Sequence, residues 1–167
     1  FEPLITGFQS TICEGDSTSL SVVANAAASF QWGTNANNSV SPQITVFPDV
    51  PSETFSVTVT NNEGCSVVTS AHILVNPKPV TTWLGAQTIC AGSLSYIQPI
   101  SGGTWTSTNP LVASISQNGT ISAISSGTSR FIYTSNITGC SSDSSSLFTV
   151  HEPTPINYTG PDQLCKH

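Results

Sequence analysis

The chain has 167 residues, 7% of them charged, with three basic residues (Lys78, Arg130, Lys166) against nine acidic ones and a formal net charge of −6. No basic stripe can neutralise phosphates, which excludes nucleic acid as a partner, and no apolar run approaches the ~18 residues of a membrane-spanning segment. Ser and Thr number 49, so solubility rests on hydroxyls and amides rather than on charge, as on many surfaces outside the cell.

In chain order, residues 1–77 carry alternating apolar positions at Leu20 and Val22, Phe30 and Trp32, Ile44 and Val46, then Phe55, Val57 and Val59. Gly, Asn, Pro and Ser turns separate them, the pattern of strands with one buried face. A hairpin turn, Asn61-Asn62-Glu63-Gly64, leads to Cys65, and the junction NPKP at 76–79 follows. Residues 78–152 repeat the arrangement: Leu94 and Tyr96, Trp105, Val112 with Ser114 and Ile115 near a change of face, Ile121 to Ile124, then Phe131 and Tyr133, up to HEPTP at 151–155. Residues 153–167 begin a truncated third repeat. With no signal peptide and no membrane anchor in view, the chain is expected to be an internal piece of a secreted protein. About seven short strands per ~75 residues, with no helical period, predict an all-β fold of tandem immunoglobulin-like β-sandwich domains.

The five cysteines set the repeat. From Cys13 to Cys90 is 77 residues, from Cys65 to Cys140 is 75, and from Cys90 to Cys165 is 75, so two roles alternate at one period. The first role reads ITGFQSTIC at 5–13, WLGAQTIC at 83–90 and YTGPDQLC at 158–165; the second reads NNEGCS at 61–66 and NITGCS at 136–141. The spacing predicts two disulfides, Cys13–Cys65 and Cys90–Cys140, each fastening one end of its own sandwich. A loop of about 50 residues closed this way contributes roughly 4 kcal/mol. Cys165, unpaired in this sequence, takes the first role of the third repeat. A zinc site is the alternative, but no C-x-x-C pair is present.

Trp32 and Trp105 hold matched places between the two cysteine roles and are expected in the cores. Trp83 and Tyr158, one period apart, are expected at the interdomain junctions with Pro77, Pro79, Pro153 and Pro155. Those prolines restrict each joint to extended conformations.

ICEGDSTSL at 12–20, SFQWG at 29–33, ETFSVTVTNNEGC at 53–65 and ILVNPKP at 73–79 resemble the immunoglobulin-like and PKD-like repeats of giant Bacteroidetes surface proteins. These include gliding-motility adhesins and relatives exported by the type IX system. GGTWTSTNPLVASISQNGTISAISSGTSRFIYT at 102–134 is similar to the bacterial immunoglobulin-like group 2 domain. The resemblance implies extracellular display and non-catalytic stalk or adhesive repeats. It also makes Ser17, in Asp16-Ser17-Thr18, a candidate for O-glycosylation.

Catalytic machinery is sparse. His72, His151 and His167 are scattered, and no G-x-S-x-G, H-E-x-x-H or phosphate-binding glycine loop occurs. No catalytic residue, metal ligand or cofactor is expected. Glu14 with Asp16, and Glu152 near Asp162, lack the converging oxygens of a calcium loop and read as solvated carboxylates. Asn37, Asn118, Asn136 and Asn157 satisfy N-x-S/T but read as unmodified turn residues. Lys78 in a linker and Lys166 at the end exclude an internal isopeptide. The expected function is a structural repeat of a cell-surface adhesin or filament, with a carbohydrate-binding accessory module of a secreted glycan-degrading enzyme as the alternative. Expected partners are adjacent repeats, surface polysaccharide, and neighbouring copies joined by strand pairing at bare sheet edges.

Overall fold

A computed structural model describes residues 1–24, 28–49 and 51–155. The chain divides into two compact units, Phe1–Pro79 with Ile137–Ser141 and Val80–Asn136 with Ser142–His167.

The first unit is an immunoglobulin-like sandwich of seven strands: β1 (Leu4–Thr6), β2 (Thr11–Cys13), β3 (Thr18–Val23), β4 (Ala28–Trp32), β5 (Gln43–Val46), β6 (Ser52–Asn61) and β7 (Ser66–Asn76). One sheet has the order β1-β3-β5 and the other β2-β7-β6-β4. All pairings are antiparallel except that of β2 with β7, which is parallel. Alternation along the long strands sends Phe55, Val57 and Val59 of β6 and Ala71, Ile73 and Val75 of β7 inward, where they meet Leu20, Val22 and Trp32. The opposite face of the β6–β7 pair carries Thr54, Ser56, Thr58, Ser66 and Ser70. A strand that must be apolar inside and soluble outside without charge uses β-branched residues and hydroxyls, both suited to a half-buried pleat.

The second unit repeats the topology with β8 (Thr82–Trp83), β9 (Thr88–Cys90), β10 (Leu94–Gln98), β11 (Gly103–Ser107), β12 (Ala113–Ile115), β13 (Thr120–Ala123), β14 (Gly127–Ser129), β15 (Phe131–Ser135) and β16 (Phe148–His151). One sheet runs β12-β13-β10-β8; opposite it lie the pair β11-β15 and the three strands β14-β16-β9, with β9 and β16 again parallel. Arg130 separates β14 from β15. The core gathers Ile97, Trp105, Ala113, Ile121, Phe131, Tyr133, Phe148 and Val150.

One strand faces the other way from the expectation. In β10 it is Ser95 and Ile97 that turn inward, while Leu94 and Tyr96 are 55% and 47% exposed. The sequence Leu-Ser-Tyr-Ile-Gln has apolar residues on both faces, so alternation alone does not choose between them. The inward serine is satisfied by donating to the Ala86 carbonyl at 2.7 Å. It fits because residue 85 is glycine, whose Cβ, if present, would collide with the Ser95 hydroxyl.

Candidate functional sites

The cysteine framework differs from the expected one. The disulfide joins Cys13 to Cys140, with Cα atoms 5.6 Å apart, across a sequence separation of 127 residues. Cys65 and Cys90 are free and exposed. Cys165 lies outside the described residues.

The expected Cys13–Cys65 and Cys90–Cys140 bonds are therefore corrected, and the reason is topological. Cys13 ends β2 and pairs in register with Asn76, the last residue of β7, whereas Cys65 immediately precedes Ser66, the first residue of that strand. Because β7 is 11 residues long, an extended rise of about 3.3 Å per residue holds the two cysteines about 36 Å apart. A disulfide needs Cα atoms within about 7 Å. The second repeat has the same design: Cys90 pairs in register with His151 at the end of β16, while Cys140 comes near the start of the return from β15. In both units the first-role cysteine marks the end at which the last strand finishes. The second-role cysteine marks the end at which the return to that strand begins.

The turns that present the second-role cysteines are built locally. The Asn61 side-chain carbonyl accepts the backbone N–H groups of Glu63 at 3.0 Å and Cys65 at 2.9 Å, and Gly64 supplies the positive φ of 83° that the turn requires. In the second repeat the Thr138 hydroxyl accepts from the Cys140 N–H at 3.2 Å. Cys140 is buried, whereas Cys65 is exposed.

The tryptophans divide into two sorts. Trp32 and Trp105 are buried at 1% and 3% exposure. Each spends its indole N–H on a backbone carbonyl, that of Ser41 at 2.9 Å and that of Pro99 at 2.8 Å. Trp83 does not occupy a junction. It sits on β8 of the second unit, stacked on Phe148 with ring centroids 5.7 Å apart and an interplanar angle of 3°, and edge-on to Phe131 at 6.0 Å. Its indole N–H donates to the Ser146 hydroxyl at 2.9 Å. The physical reason is its strand: pairing of Trp83 with Ile97, an inward residue, turns the ring onto the core. Tyr158 lies outside the described residues. Pro77, Pro153 and Pro155 are exposed and Pro79 is half-buried. Ser17 is exposed on the loop between β2 and β3.

Two features were not read from the sequence. One is a set of serines in the stretch 141–146. The Ser142 and Ser145 hydroxyls, both buried, accept the backbone N–H groups of Tyr133 and Phe131 at 3.0 Å each. The backbone N–H groups of the same serines donate to the Tyr133 and Phe131 carbonyls at 2.7 and 2.9 Å. The Arg130 guanidinium donates to the Ser145 carbonyl at 2.6 Å. The other feature is a hollow of about 190 Å³ in the first unit, lined by Asn35, Asn37, Ile44, Thr45 and Phe47 among others. Phe47 is 71% exposed there. Asn35 is held by donating to the Glu53 carboxylate and the Thr54 carbonyl, both at 3.0 Å.

Among the described residues, no group of three or more His, Cys, Asp or Glu is placed to hold a metal ion. No helix among them is long and apolar enough to cross a membrane.

No family model and no curated protein matches this chain. Solved structures do. The chain is similar to a C-terminal 282-residue fragment of intimin, solved with the intimin-binding domain of the translocated intimin receptor: 14% identity, TM-score 0.50, 90% of this chain and 63% of that one. It is also similar to invasin, a bacterial integrin-binding protein: 13% identity, TM-score 0.51, 90% of this chain and 38% of that one. These likenesses establish the fold and nothing more. A weaker likeness, TM-score 0.33 at 11% identity over 90% of this chain and 48% of the other, is to a Bacteroides ovatus glucan-utilisation protein, SGBP-B, solved with a mixed-linkage heptasaccharide. The chain spans about three fifths of the intimin fragment and under two fifths of invasin.

Proposed function

We propose that the chain is a non-catalytic structural segment of a large secreted, cell-surface adhesin or filament, a stalk that projects a binding region from the cell. The Cys13–Cys140 bond is the observation that carries this reading. Tension applied at the two ends of a chain so bonded passes from Cys13 across the sulfurs to Cys140, and the residues between them bear none of it. The enclosed span takes in most of the first sandwich and nearly all the strands of the second. A protein that must hold its length under load gains directly from such a shunt.

The fold shared with intimin, solved with the translocated intimin receptor, and with invasin, an integrin-binding protein, supports the same reading. So do the buried Trp32 and Trp105 and the half-buried Trp83, whose ring is stacked on Phe148, each of which serves packing. Kinship with Bacteroidetes surface repeats, and export by the type IX route, belong to this proposal through the sequence resemblance.

The test is single-molecule extension between the chain termini. With the disulfide intact, the span inside it stays short. After reduction, unfolding should add contour length approaching 440 Å, the separation of 127 residues at about 3.5 Å each. Equal extension with and without reductant would remove the load-bearing role.

One observation favours the carbohydrate-binding alternative: exposed Phe47 beside a hollow that also presents Asn37 and Thr45. An aromatic face flanked by amides and hydroxyls can stack a sugar ring and hydrogen-bond its edge. Glycan-array binding that Phe47→Ala abolishes would promote that reading above the stalk.

A further inference from the structure

The structure leaves Cys65 and Cys90 as exposed thiols, yet each stands in a role whose counterpart is bonded in this same chain. Cys140, one period after Cys65, is bonded, and Cys13, one period before Cys90, is its partner. Neither free cysteine can be satisfied within its own repeat, because the two roles mark opposite ends of the last strand. We propose that Cys65 and Cys90 are the open halves of further staples of the same kind, each bonding the opposite-role cysteine of another such repeat.

The pairing rule read from Cys13–Cys140 joins the first-role cysteine of one repeat to the second-role cysteine of the next. Applied at the same period, it gives Cys65 a first-role partner from a repeat preceding its own, and Cys90 a second-role partner from a repeat following its own. Successive bonds then overlap, so each repeat is enclosed by staples reaching both ways. The result is a covalent ladder one repeat out of step with the domains. Because the two roles differ, the contact is head-to-tail, and such contacts propagate as open filaments where the rotation between copies does not close a ring.

Each bond forms in two displacements. A cysteine thiolate attacks a disulfide oxidant such as glutathione disulfide, releasing one glutathione thiol. The second cysteine then attacks the mixed disulfide, releasing the other. Two thiol hydrogens and two electrons leave with the oxidant's reduced form. The inference rests on the tandem-repeat reading of the stalk.

The test uses the 167-residue chain carrying Cys165→Ser, equilibrated at high concentration in a glutathione redox buffer, blocked with N-ethylmaleimide and digested at low pH. The expected result is an intermolecular Cys65–Cys90 peptide at least ten-fold above Cys65–Cys65 and Cys90–Cys90, with a gel ladder that collapses on reduction. Cys65→Ser and Cys90→Ser should each stop the ladder while leaving the Cys13–Cys140 peptide in place. A statistical mixture of the three links would overturn the proposal, as would Cys65 and Cys90 capped only by glutathione or N-ethylmaleimide. In protein blocked and isolated from its natural source, linked repeats in a band of single-chain size place the partner on the same chain, and a reducible ladder places it on a second copy. Thiols free at both positions overturn the proposal there too. Loss of the ladder with the extension shunt retained would sink this inference and leave the stalk reading standing.

Discussion

In the first unit β6 and β7 run together through an unbroken register from Ser52 opposite Leu74 to Thr60 opposite Ser66. The corresponding stretch of the second repeat, 127–151, keeps such a ladder, among the described residues, for Gly127–Ser129 with Phe148–Val150. Beyond Arg130 the buried N–H groups of Phe131 and Tyr133 are met by the hydroxyls of Ser145 and Ser142. The same sandwich is thus closed in one case by a continuous backbone ladder and in the other by separate backbone bonds to the Phe131 and Tyr133 carbonyls completed by serine hydroxyls. The difference explains the composition. SSDSSS at 141–146 resembles a low-complexity loop, but Ser142, Ser145 and Ser146 each hold a defined hydrogen bond. The serines that decorate β6 and β7 face outward and can be exchanged.

The largest expected effect removes the bond that closes over both regions. Cys13→Ser or Cys140→Ser frees a loop of 127 residues, and the chain-entropy model puts that at about 5 kcal/mol of unfolding free energy. Cys65→Ser and Cys90→Ser, which alter exposed free thiols, should stay within about 0.5 kcal/mol. Chemical denaturation of the four variants in the absence of reductant checks this. A loss at Cys65→Ser equal to that at Cys13→Ser would mean that the two are partners after all.

Next in size is the aromatic cluster of Trp83, Phe131 and Phe148 in the second unit. Phe148 is fully buried between Trp83 and Phe131, so Phe148→Ala should cost about 3–5 kcal/mol. It should also change the near-ultraviolet circular dichroism, since the Trp83 ring loses its stacking partner. A smaller loss with unchanged Trp83 signals would mean that the cluster does not form.

The sharpest test of the comparison is a pair of identical substitutions one period apart. Ser145→Ala strands the buried Phe131 N–H and should cost about 1–3 kcal/mol. Ser70→Ala lies on the outer face of β7, opposite Ser56, and should shift stability by less than about 0.5 kcal/mol. Equal effects would show that hydroxyls do not replace a strand in the second unit.

Much of the fold was legible because the long strands obey a strict alternation. Phe55, Val57 and Val59 can satisfy only one face, and the hairpin turn before Cys65 sets the register between β6 and β7. The misread parts have specific causes. Leu94 and Tyr96 read as inward by alternation because β10 carries apolar residues on both faces; the deciding partner is Gly85, which no alternation rule brings opposite Ser95. Trp83 looked like a joint residue because NPKP precedes it, yet the second unit already begins at Val80. The cysteines were misjoined for a deeper reason. Alternating roles at one period fit pairing within a repeat as well as pairing one repeat out of step, and the shorter loop looks natural. What separates the two is the parallel attachment of β2 to β7 and of β9 to β16, which sends each first-role cysteine to the far end of its sandwich. Short parallel edge strands leave little trace in hydrophobic pattern, so that information enters only with the topology.

The measurement that tests the account most directly is a disulfide map of the chain, blocked with N-ethylmaleimide, digested with pepsin at low pH and analysed by mass spectrometry without reduction. The account predicts a linked peptide pair containing Cys13 and Cys140, with Cys65 absent from any link to Cys13. A linked pair of Cys13 with Cys65, or of Cys90 with Cys140, would contradict it.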